Sequence, residues 1–511
     1  MCEVIDHVFV LMLENRSFDH MLGWSELSGC DAVTGRPTTT DGLTGQETNR
    51  LPSGGLVTVS AGADYVMTVD PGHEFADVLE QLCGPGATYP DPAGGYPRID
   101  CSGFASRIDA LIERTGAGCD PSIVMRGFRP AQVPVLTTLA AEFAVCDRWF
   151  SSLPGPTWPN RYFVHAASSA GLDDSPSPLQ SAESLLEGWQ FANGTIFDRL
   201  NQAGLRWTVV EGDSLPQALG ISGMVESALD GHFVSMEDLK QRLADPEFDD
   251  TYVFIEPHYG HVLADGANFK CGSSQHPLDD VTHGERLLKD VYESIRNSPH
   301  WARSLLIVTY DEHGGFYDHV APPVAVPPGD STPPGHSHNG FRFDRLGVRV
   351  PAVIVSPYTA RGLIDHTVYD HTSVLATVEN LFGLAPLTAR DAAAARLDHL
   401  FGLPRPRTDA PLALPPAAHS GVADCMEAIL AADLEVAPAH LDGRLEPALA
   451  GFVQLALARD LHLAASADHD LAGAIRREKR RLQRTWRGIR TKFDAVRYLR
   501  DVETRYQAAR R

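Results

Sequence analysis

The sequence has no uninterrupted apolar run of about 18 residues, the length that a transmembrane helix requires. It also lacks a Cys-x-x-Cys pair, so its eight scattered cysteines indicate neither a zinc knuckle nor a thioredoxin-like motif and leave one or two disulfides open. No secretory signal precedes the first apolar segment. As written, the chain is therefore expected to be cytoplasmic, or secreted if it is a processed form.

Basic residues are also scarce for a chain of 511 residues. The formal net charge is −23, which argues against general nucleic-acid binding. The charge is unevenly distributed, because residues 475–511 contain 14 basic and 4 acidic side chains, and the rest of the chain carries −33. This asymmetry predicts a separate role for the C-terminal segment.

Short apolar runs alternate with helical patterns and Gly/Pro-rich loops up to about residue 400, which is typical of an α/β fold. Five runs are predicted strands: His7–Leu13, Trp207–Val210, Tyr252–Ile255, Leu305–Val308 and Val350–Val355. Residues 405–418 are rich in proline and are predicted to be a linker, after which the sequence is largely helical. We therefore predict a catalytic domain at 1–407, and a proline-rich linker with a basic helical region at 408–511.

Two of the predicted strands end in oxygen-bearing side chains. Glu14 and Asn15 follow the first strand, and Asp311 and Glu312 follow the fourth. Ligands of parallel sheets bind beyond the carboxyl ends of the strands, so the four side chains could surround one point. Hard divalent cations prefer such an oxygen cluster, and a cation would relieve the repulsion between carboxylates. The pattern predicts a metal site; the alternative is an ordinary polar turn.

The turn after Glu312 contains two glycines, Gly314 and Gly315. We expect them to adopt a backbone conformation that is closed to residues with side chains. Asp318 and His319 follow them and are predicted to orient this turn.

Six motifs occur in an order that resembles the bacterial phosphoesterase family of non-haemolytic and haemolytic phospholipases C and related acid phosphatases. The motifs are Glu14–His20, Pro154–Arg161, Phe254–Pro257, His276–Pro277 with Gly284–Glu285, Asp311–His319 and Tyr369–Ser373. They span roughly residues 5–400, and their combination is far more specific than any one of them.

The resemblance implies an alkaline-phosphatase-like α/β core, with a mostly parallel sheet flanked by helices, to which this sequence adds a helical C-terminal extension. It also implies metal-assisted hydrolysis of a phosphoester through a covalent phospho-enzyme, with Thr157 as the nucleophile. The positions that match Glu14, Asn15, Asp311 and Glu312 hold the metal beside Thr157. We expect one divalent ion there, which is Ca, Mg, Mn or Zn.

The resemblance further places His276 and His73 in the substrate pocket. Histidine is the usual donor of the proton that a leaving alkoxide needs near neutral pH. Asn160 and Arg161 are candidate catalytic residues as well, because an arginine fork suits a pair of phosphate oxygens. The alternative for these two residues is that they hold the loop before them.

The chemistry of Thr157 agrees with the implied role. A threonine hydroxyl is a poor nucleophile at neutral pH, and contact with a divalent cation lowers its pKa. Pro159 suits the first turn of a helix, whose N-terminus would face a bound phosphate. The alternative is that Thr157 is an ordinary N-cap.

These observations predict a metal-dependent phosphoric ester hydrolase that resembles phospholipase C, acts on phosphodiester head groups such as phosphocholine and forms a phosphothreonine intermediate. The alternatives are an acid-phosphatase-like phosphomonoesterase and a non-catalytic membrane-surface protein. A sulfatase-like esterase would need Cys or Ser where Thr157 stands. The expected partner is a small phosphoester or a phospholipid, and no nucleic acid is expected.

The basic C-terminal segment has an apolar stripe at spacings of three, four and seven, which predicts one helix that continues through Gly488. The stripe consists of Ile475, Leu482, Trp486, Ile489, Phe493, Val496, Leu499, Val502 and Tyr506. One interpretation is peripheral contact with an anionic membrane. The other is that the stripe packs on the body and that the basic residues pair with its acidic groups or with another subunit.

Overall fold

The computed structural model describes residues 5–91, 94–177, 180–181, 184, 187–263, 266–333, 335–422, 447–466 and 471–510. Its strands, β1 to β16 in chain order, are His7–Leu13, Ser28–Asp31, Pro37–Thr39, Thr48–Arg50, Leu56–Thr58, Ser60–Ala61, Arg126–Gly127, Ala144–Cys146, Arg206–Glu211, Phe233–Ser235, Asp250–Ile255, His261–Leu263, Gly266–Lys270, Ser304–Tyr310, Ala352–Val355 and Leu363–Asp365. Its α-helices, α1 to α14, are Phe18–Leu22, Phe75–Cys83, Phe104–Thr115, Pro134–Glu142, Thr157–Ala166, Ile196–Ala203, Met224–Leu229, Met236–Ala244, Val281–Arg296, Thr372–Phe382, Ala389–Ala393, Pro447–Ser466, Leu471–Gly488 and Lys492–Ala509. Short 3-10 helices cover Pro121–Met125, Pro130–Gln132, Gln217–Gly220, Trp301–Arg303 and Asp398–Phe401.

One mixed sheet of ten strands organises the body, in the order β10-β9-β11-β1-β14-β15-β8-β16-β2-β3. All neighbours from β10 to β14 are parallel, and the antiparallel pairs are β14–β15, β15–β8 and β2–β3. Every residue of β1, β11 and β14 is buried, as continuous apolar runs require when both faces of a sheet are covered. The predicted α/β class, with a mostly parallel sheet flanked by helices, is confirmed.

The five predicted strands are all present, as β1, β9, β11, β14 and β15. The last of them begins two residues later than predicted, at Ala352. Pro351 precedes it and has no N–H group to donate to a ladder, so the apolar pattern alone overestimated the length of this strand.

The predicted helical C-terminal region is also confirmed. Helix α12 contributes Leu449 and Phe452 to the same hydrophobic core as the sheet. The ring of Phe452 lies 5.9 Å from that of Trp158, centroid to centroid, in an edge-to-face arrangement. The C-terminal helices therefore pack directly against the start of α5, whereas the boundary at residues 407 and 408 stays a prediction.

The expectation of one helix through Gly488 is wrong. Helix α13 ends at Gly488, and Thr491 caps a new helix, α14. The Thr491 hydroxyl accepts a bond of 3.1 Å from the Asp494 N–H, while the Asp494 carboxylate accepts one of 3.1 Å from the Thr491 N–H. This reciprocal capping box, after a glycine with low helix propensity, starts a second helix where the apolar spacing alone predicts continuation.

Both helices turn the apolar stripe toward the body. Its fully buried members are Leu482, Val496, Leu499, Val502 and Tyr506. Asp460 of α12 pairs with Arg481 at 3.0 Å and with Arg505, and the Tyr506 hydroxyl donates to Glu211 at 2.6 Å. These contacts support the interpretation that the stripe packs on the body and that part of the basic charge pairs with acidic groups.

Among the described residues, no helix is long and apolar enough to cross a membrane.

Cys271 is disulfide-bonded, so one of the disulfides that the sequence left open is present. The cysteines described as free are Cys30, Cys83, Cys101, Cys119 and Cys146.

The contact between α12 and Trp158 generates a test of this packing. A Cβ at Gly451 would lie 2.6 Å from Cζ2 of the buried Trp158 ring, a distance that the close-packed site cannot accept without a shift. We expect Gly451→Ala to lower the free energy of unfolding by about 1–3 kcal/mol, measured by urea denaturation. Gly488→Ala is the matched control, because a Cβ there meets nothing within 4 Å, and it should be neutral or stabilising. Equal stability of the two variants would contradict this packing.

Candidate active site

The parallel pairing of β1 with β14 brings together the residues predicted to hold the metal. Leu13 lies opposite Tyr310 in the register, so Glu14 and Asn15 leave the sheet beside Asp311 and Glu312. The backbone N–H of Asn15 donates to Asp311 Oδ1 at 3.0 Å, and its side-chain Nδ2 donates to Glu312 Oε1. Four oxygen-bearing side chains from two distant segments thus share one site at the carboxyl edge of the sheet.

Thr157 is the first residue of α5 and meets this cluster. Its Oγ1 lies 3.3 Å from Asn15 Nδ2, and its side chain is half-buried. Pro156 occupies the N-cap position and no side chain caps the helix, so the N-cap alternative for Thr157 is wrong. The hydroxyl stands at the helix N-terminus, which favours negative charge.

The turn after Glu312 has the predicted backbone. Gly314 and Gly315 have φ angles of 62° and 75°. A Cβ on Gly314 would lie 2.2 Å from the carbonyl oxygen of Asn15, so only glycine lets the two ligand segments approach this closely. Asn15 itself has a φ of 62°, a conformation that asparagine tolerates better than most residues.

Buried negative charge dominates the site. Glu14, Asp311 and Glu312 are nearly inaccessible to solvent. Burial and the charge of Asp311 raise the pKa of Glu14, and burial raises the pKa of Asp311. Arg161 offsets part of this charge, since its Nε donates to Asp311 Oδ2 at 3.0 Å and its Nη2 lies 3.8 Å from Glu14 Oε2.

The donor set fits a divalent cation. Asn15 Oδ1 is buried and has no hydrogen-bond partner within the described part of the chain. A buried amide oxygen without a partner carries a desolvation cost that a bound ligand would remove. Together with the carboxylates of Glu14, Asp311 and Glu312 it forms an all-oxygen set, as hard cations prefer.

The two candidate histidines lie together at the edge of the cluster, with ring centroids 6.4 Å apart. His276 Nε2 lies 3.5 Å from Asp70 Oδ2, and burial lowers the pKa of His276 to about 4. His73 is held through Nδ1 by the Pro71 carbonyl at 3.0 Å. Burial opposes protonation of His73, but the charges of Glu312, Asp70, Glu74 and Asp77 together outweigh burial and raise the pKa of His73 to about 10.

Asn160 and Arg161 have contacts within the protein. The amide of Asn160 donates to the carbonyl oxygens of Leu153, Gly155 and Pro156 at 3.3, 2.9 and 3.0 Å, and its oxygen accepts from the Leu153 N–H at 3.1 Å. Asn160 therefore holds the loop that leads into Thr157. Arg161 lies between the ligand carboxylates, and its Nη1 is buried without a partner in the described residues.

A second acidic cluster lies next to the first. Ligand atoms of Asp19, Asp318 and His319 lie within 4.8 Å of one another, a spacing that could also accept a metal ion. Arg349 donates to Asp19 Oδ1 and Asp318 Oδ1, each at 2.9 Å, and His319 Nδ1 lies 2.7 Å from Asp19 Oδ2. Arg349 and His319 thus pair with both carboxylates of this cluster. The Asp19 N–H also donates to Asp318 at 3.1 Å, which ties this cluster to the turn after Glu312.

Two residues that support the site were missed by sequence reasoning. His371 donates from Nε2 to the Asp311 carbonyl at 2.6 Å, while its Nδ1 accepts from Trp149 Nε1 at 3.4 Å. Tyr259 stacks over the Arg161 guanidinium at 5.1 Å. His371 lies in Tyr369–Ser373, one of the six motifs that carried the family resemblance. The sequence therefore singled out this position, but it did not indicate that His371 supports Asp311.

The fold and the site together define an α/β enzyme that presents an oxygen-rich ligand cluster beside a threonine hydroxyl. The chain belongs to the phosphoesterase family, whose family model matches residues 5–385. The resemblance seen in the six motifs is thereby confirmed, and the protein is a phosphoric ester hydrolase.

Its relatives include enzymes from plants and bacteria. Non-specific phospholipase C6 of Arabidopsis thaliana is 38% identical over 425 residues, which cover 80% of this chain and 75% of that protein. Non-specific phospholipase C3 of the same organism is 36% identical over 422 residues, with 80% and 76% covered. Phospholipase C B of Mycobacterium tuberculosis is 29% identical over 439 residues, with 79% and 78% covered.

Similarity to solved structures is slight. The phosphonate monoester hydrolase of Agrobacterium radiobacter is 12% identical, covers 55% of this chain and 74% of its own, and gives a TM-score of 0.32. A TM-score this low supports no inference about this chain.

The contacts of Asn160 generate a prediction that separates its two candidate roles. Asn160→Ala removes the acceptor of the buried Leu153 N–H and a donor to the carbonyl oxygens of Gly155 and Pro156, so we expect a loss of about 2–4 kcal/mol in the free energy of unfolding, measured by thermal or urea denaturation. Asn297→Ala is the matched control, since the exposed Asn297 amide also donates to two carbonyl oxygens, those of Glu293 and Leu412, and should cost little. Unchanged stability of Asn160→Ala with an increased KM would instead favour phosphate contact.

Proposed function

We propose that this protein is a metal-dependent phospholipase C-like enzyme, which hydrolyses phosphodiester head groups such as phosphocholine through a phosphothreonine at Thr157. The observation that carries the proposal is the position of the Thr157 hydroxyl, at the N-terminus of α5 and 3.3 Å from Asn15 within the oxygen cluster. The phospholipase C relatives support the choice of substrate class.

The proposed first step begins at the Thr157 hydroxyl. The Thr157 oxygen attacks phosphorus, a bond from threonine to phosphorus forms, and the bond from phosphorus to the diacylglycerol oxygen breaks. The leaving alkoxide takes a proton from His73, whose pKa is raised, and neutral His276 accepts the proton that the Thr157 hydroxyl loses. Water then attacks the phosphothreonine, restores the hydroxyl and releases the phosphorylated head group.

Glu14, Asn15, Asp311 and Glu312 would hold one divalent cation beside Thr157. When bound, the cation would lower the pKa of the attacking hydroxyl and take up charge on the transferring phosphoryl group. Arg161 limits repulsion within the ligand set by pairing with Asp311 and Glu14. The N-terminus of α5 adds its dipole on the same side.

Substitution of Thr157 tests the nucleophile. We expect Thr157→Ala to lower kcat on p-nitrophenyl phosphorylcholine by at least about a thousandfold, because the attacking hydroxyl is removed. Thr157→Ser keeps a hydroxyl and should retain measurable turnover and a phosphorylated residue at position 157, detected by mass spectrometry after acid quenching. Full activity of Thr157→Ala, with unchanged thermal stability, would refute the covalent mechanism.

The substrate class is tested by the ratio of two rates. The wild-type enzyme should hydrolyse p-nitrophenyl phosphorylcholine, a diester, faster than p-nitrophenyl phosphate, a monoester. A clear preference for the monoester would instead assign the acid-phosphatase-like alternative, while leaving the role of Thr157 unchanged.

Metal removal tests the ligand set. Chelation should abolish turnover and lower the melting temperature, because the buried carboxylates of Glu14, Asp311 and Glu312 would then repel one another without a counter-ion. Re-addition of Ca, Mg, Mn and Zn salts, one at a time, identifies the ion that restores both properties. Asn15→Leu should lose the metal-dependent shift in melting temperature. A wild-type protein that melts identically with and without metal would rule out the proposed site.

A further inference from the structure

The two sides of helix α13 differ in what they contact. On one side Leu482 is buried, and Ile475 and Trp486 pack against the core. On the same segment Lys479 pairs with Glu187 at 3.4 Å, and Arg481 pairs with Asp460 at 3.0 Å. These contacts account for the attachment of α13 to the body.

The other side of α13 exposes Arg480, Arg484 and Arg487, which we call the arginine row. Their spacing of i, i+4 and i+7 places them on one face of the helix. Within the described part of the chain, none of these three guanidinium groups has a hydrogen-bond or ion-pair partner. Arg477 is exposed one turn earlier, at the spacing that extends the row.

Folding does not explain the arginine row. Like charges at i and i+4 destabilise a helix, and the row adds nothing to the packed side of α13. The row also stands on a protein whose remaining residues are strongly acidic, since the chain outside 475–511 carries −33. At physiological ionic strength the field of exposed charges falls off over about 8 Å, so the row can still attract an anionic surface that approaches closely.

We propose that the arginine row docks this protein on an anionic lipid surface. The proposal rests on the proposed function, because an enzyme that cleaves phospholipids must reach its substrate in a bilayer. Guanidinium groups bind phosphate oxygens through paired N–H donors, and a straight row along a helix suits a flat surface of head groups. The phospholipase C relatives favour a lipid surface over nucleic acid as the occupant.

Vesicle co-sedimentation tests the proposal. The full chain, in a Thr157→Ala background that keeps the lipid intact, is mixed with vesicles of phosphatidylcholine alone or of phosphatidylcholine and phosphatidylserine in equal amounts. The row variant is Arg480→Gln, Arg484→Gln and Arg487→Gln together, because glutamine preserves helix propensity. The matched control carries Arg98→Gln, Arg114→Gln and Arg286→Gln, three exposed arginines elsewhere with the same change in charge.

We expect the parent protein and the control to bind the vesicles that contain phosphatidylserine and to be released by added salt. The row variant should bind about 10- to 100-fold more weakly, because each of its three lost arginines strengthens binding to an anionic surface by a similar factor. Equal binding of the row variant and the control, or no preference of the parent for phosphatidylserine, would overturn the proposal. A doubled mass in solution that only the row variant loses would also overturn it, because the row would then bind a second copy of this chain.

Activity on a soluble ester separates this proposal from the proposed function. With Thr157 restored, the row variant should hydrolyse p-nitrophenyl phosphorylcholine at the wild-type rate and hydrolyse lipid in mixed vesicles more slowly. A wild-type protein that hydrolyses the soluble ester but does not bind the vesicles refutes docking and leaves the proposed function in place. A wild-type protein that binds the vesicles but hydrolyses neither substrate refutes the proposed function and leaves docking in place.

Discussion

Repulsion among buried carboxylates is the constraint on which the rest of the site depends. Glu14, Asp311 and Glu312 are each almost fully buried on adjoining segments, where the free energy of ionisation is unfavourable without compensation. Arg161 and the Asn15 backbone N–H both bind Asp311. The surrounding backbone brings these groups close together, and the proposed cation site depends on this close approach.

In the neighbouring cluster, each carboxylate is paired with a cationic side chain of the protein. Arg349 binds both Asp19 and Asp318, and His319 lies between Asp19 and Asp41. Burial opposes protonation of His319, but its hydrogen bonds to the two aspartates raise its pKa to about 10. This cluster is a brace that joins α1 to the turn after Glu312, whereas the cluster around Asn15 keeps an oxygen without a partner in the described residues.

The C-terminal helices connect this chemistry to the outer surface. Helix α12 packs through Phe452 against Trp158, next to the proposed nucleophile, and against Tyr259, which covers Arg161. Helix α13 packs on the same body with one face and exposes a basic face. One region of the chain therefore both supports helix α5, which begins at Thr157, and contributes to the surface charge of the protein.

The sequence by itself determined the fold class and the strands that carry the candidate metal ligands, because continuous apolar runs and glycine turns are local signals. It also determined the set of Glu14, Asn15, Asp311 and Glu312, since polar residues directly after buried strands must emerge at one edge of a parallel sheet. Only the tertiary structure decided that Asn160 holds a loop, that Arg161 pairs with carboxylates and that Arg349 neutralises the second cluster. These are contacts between segments up to 330 residues apart, and nothing in the local pattern specifies which partner a polar side chain will meet.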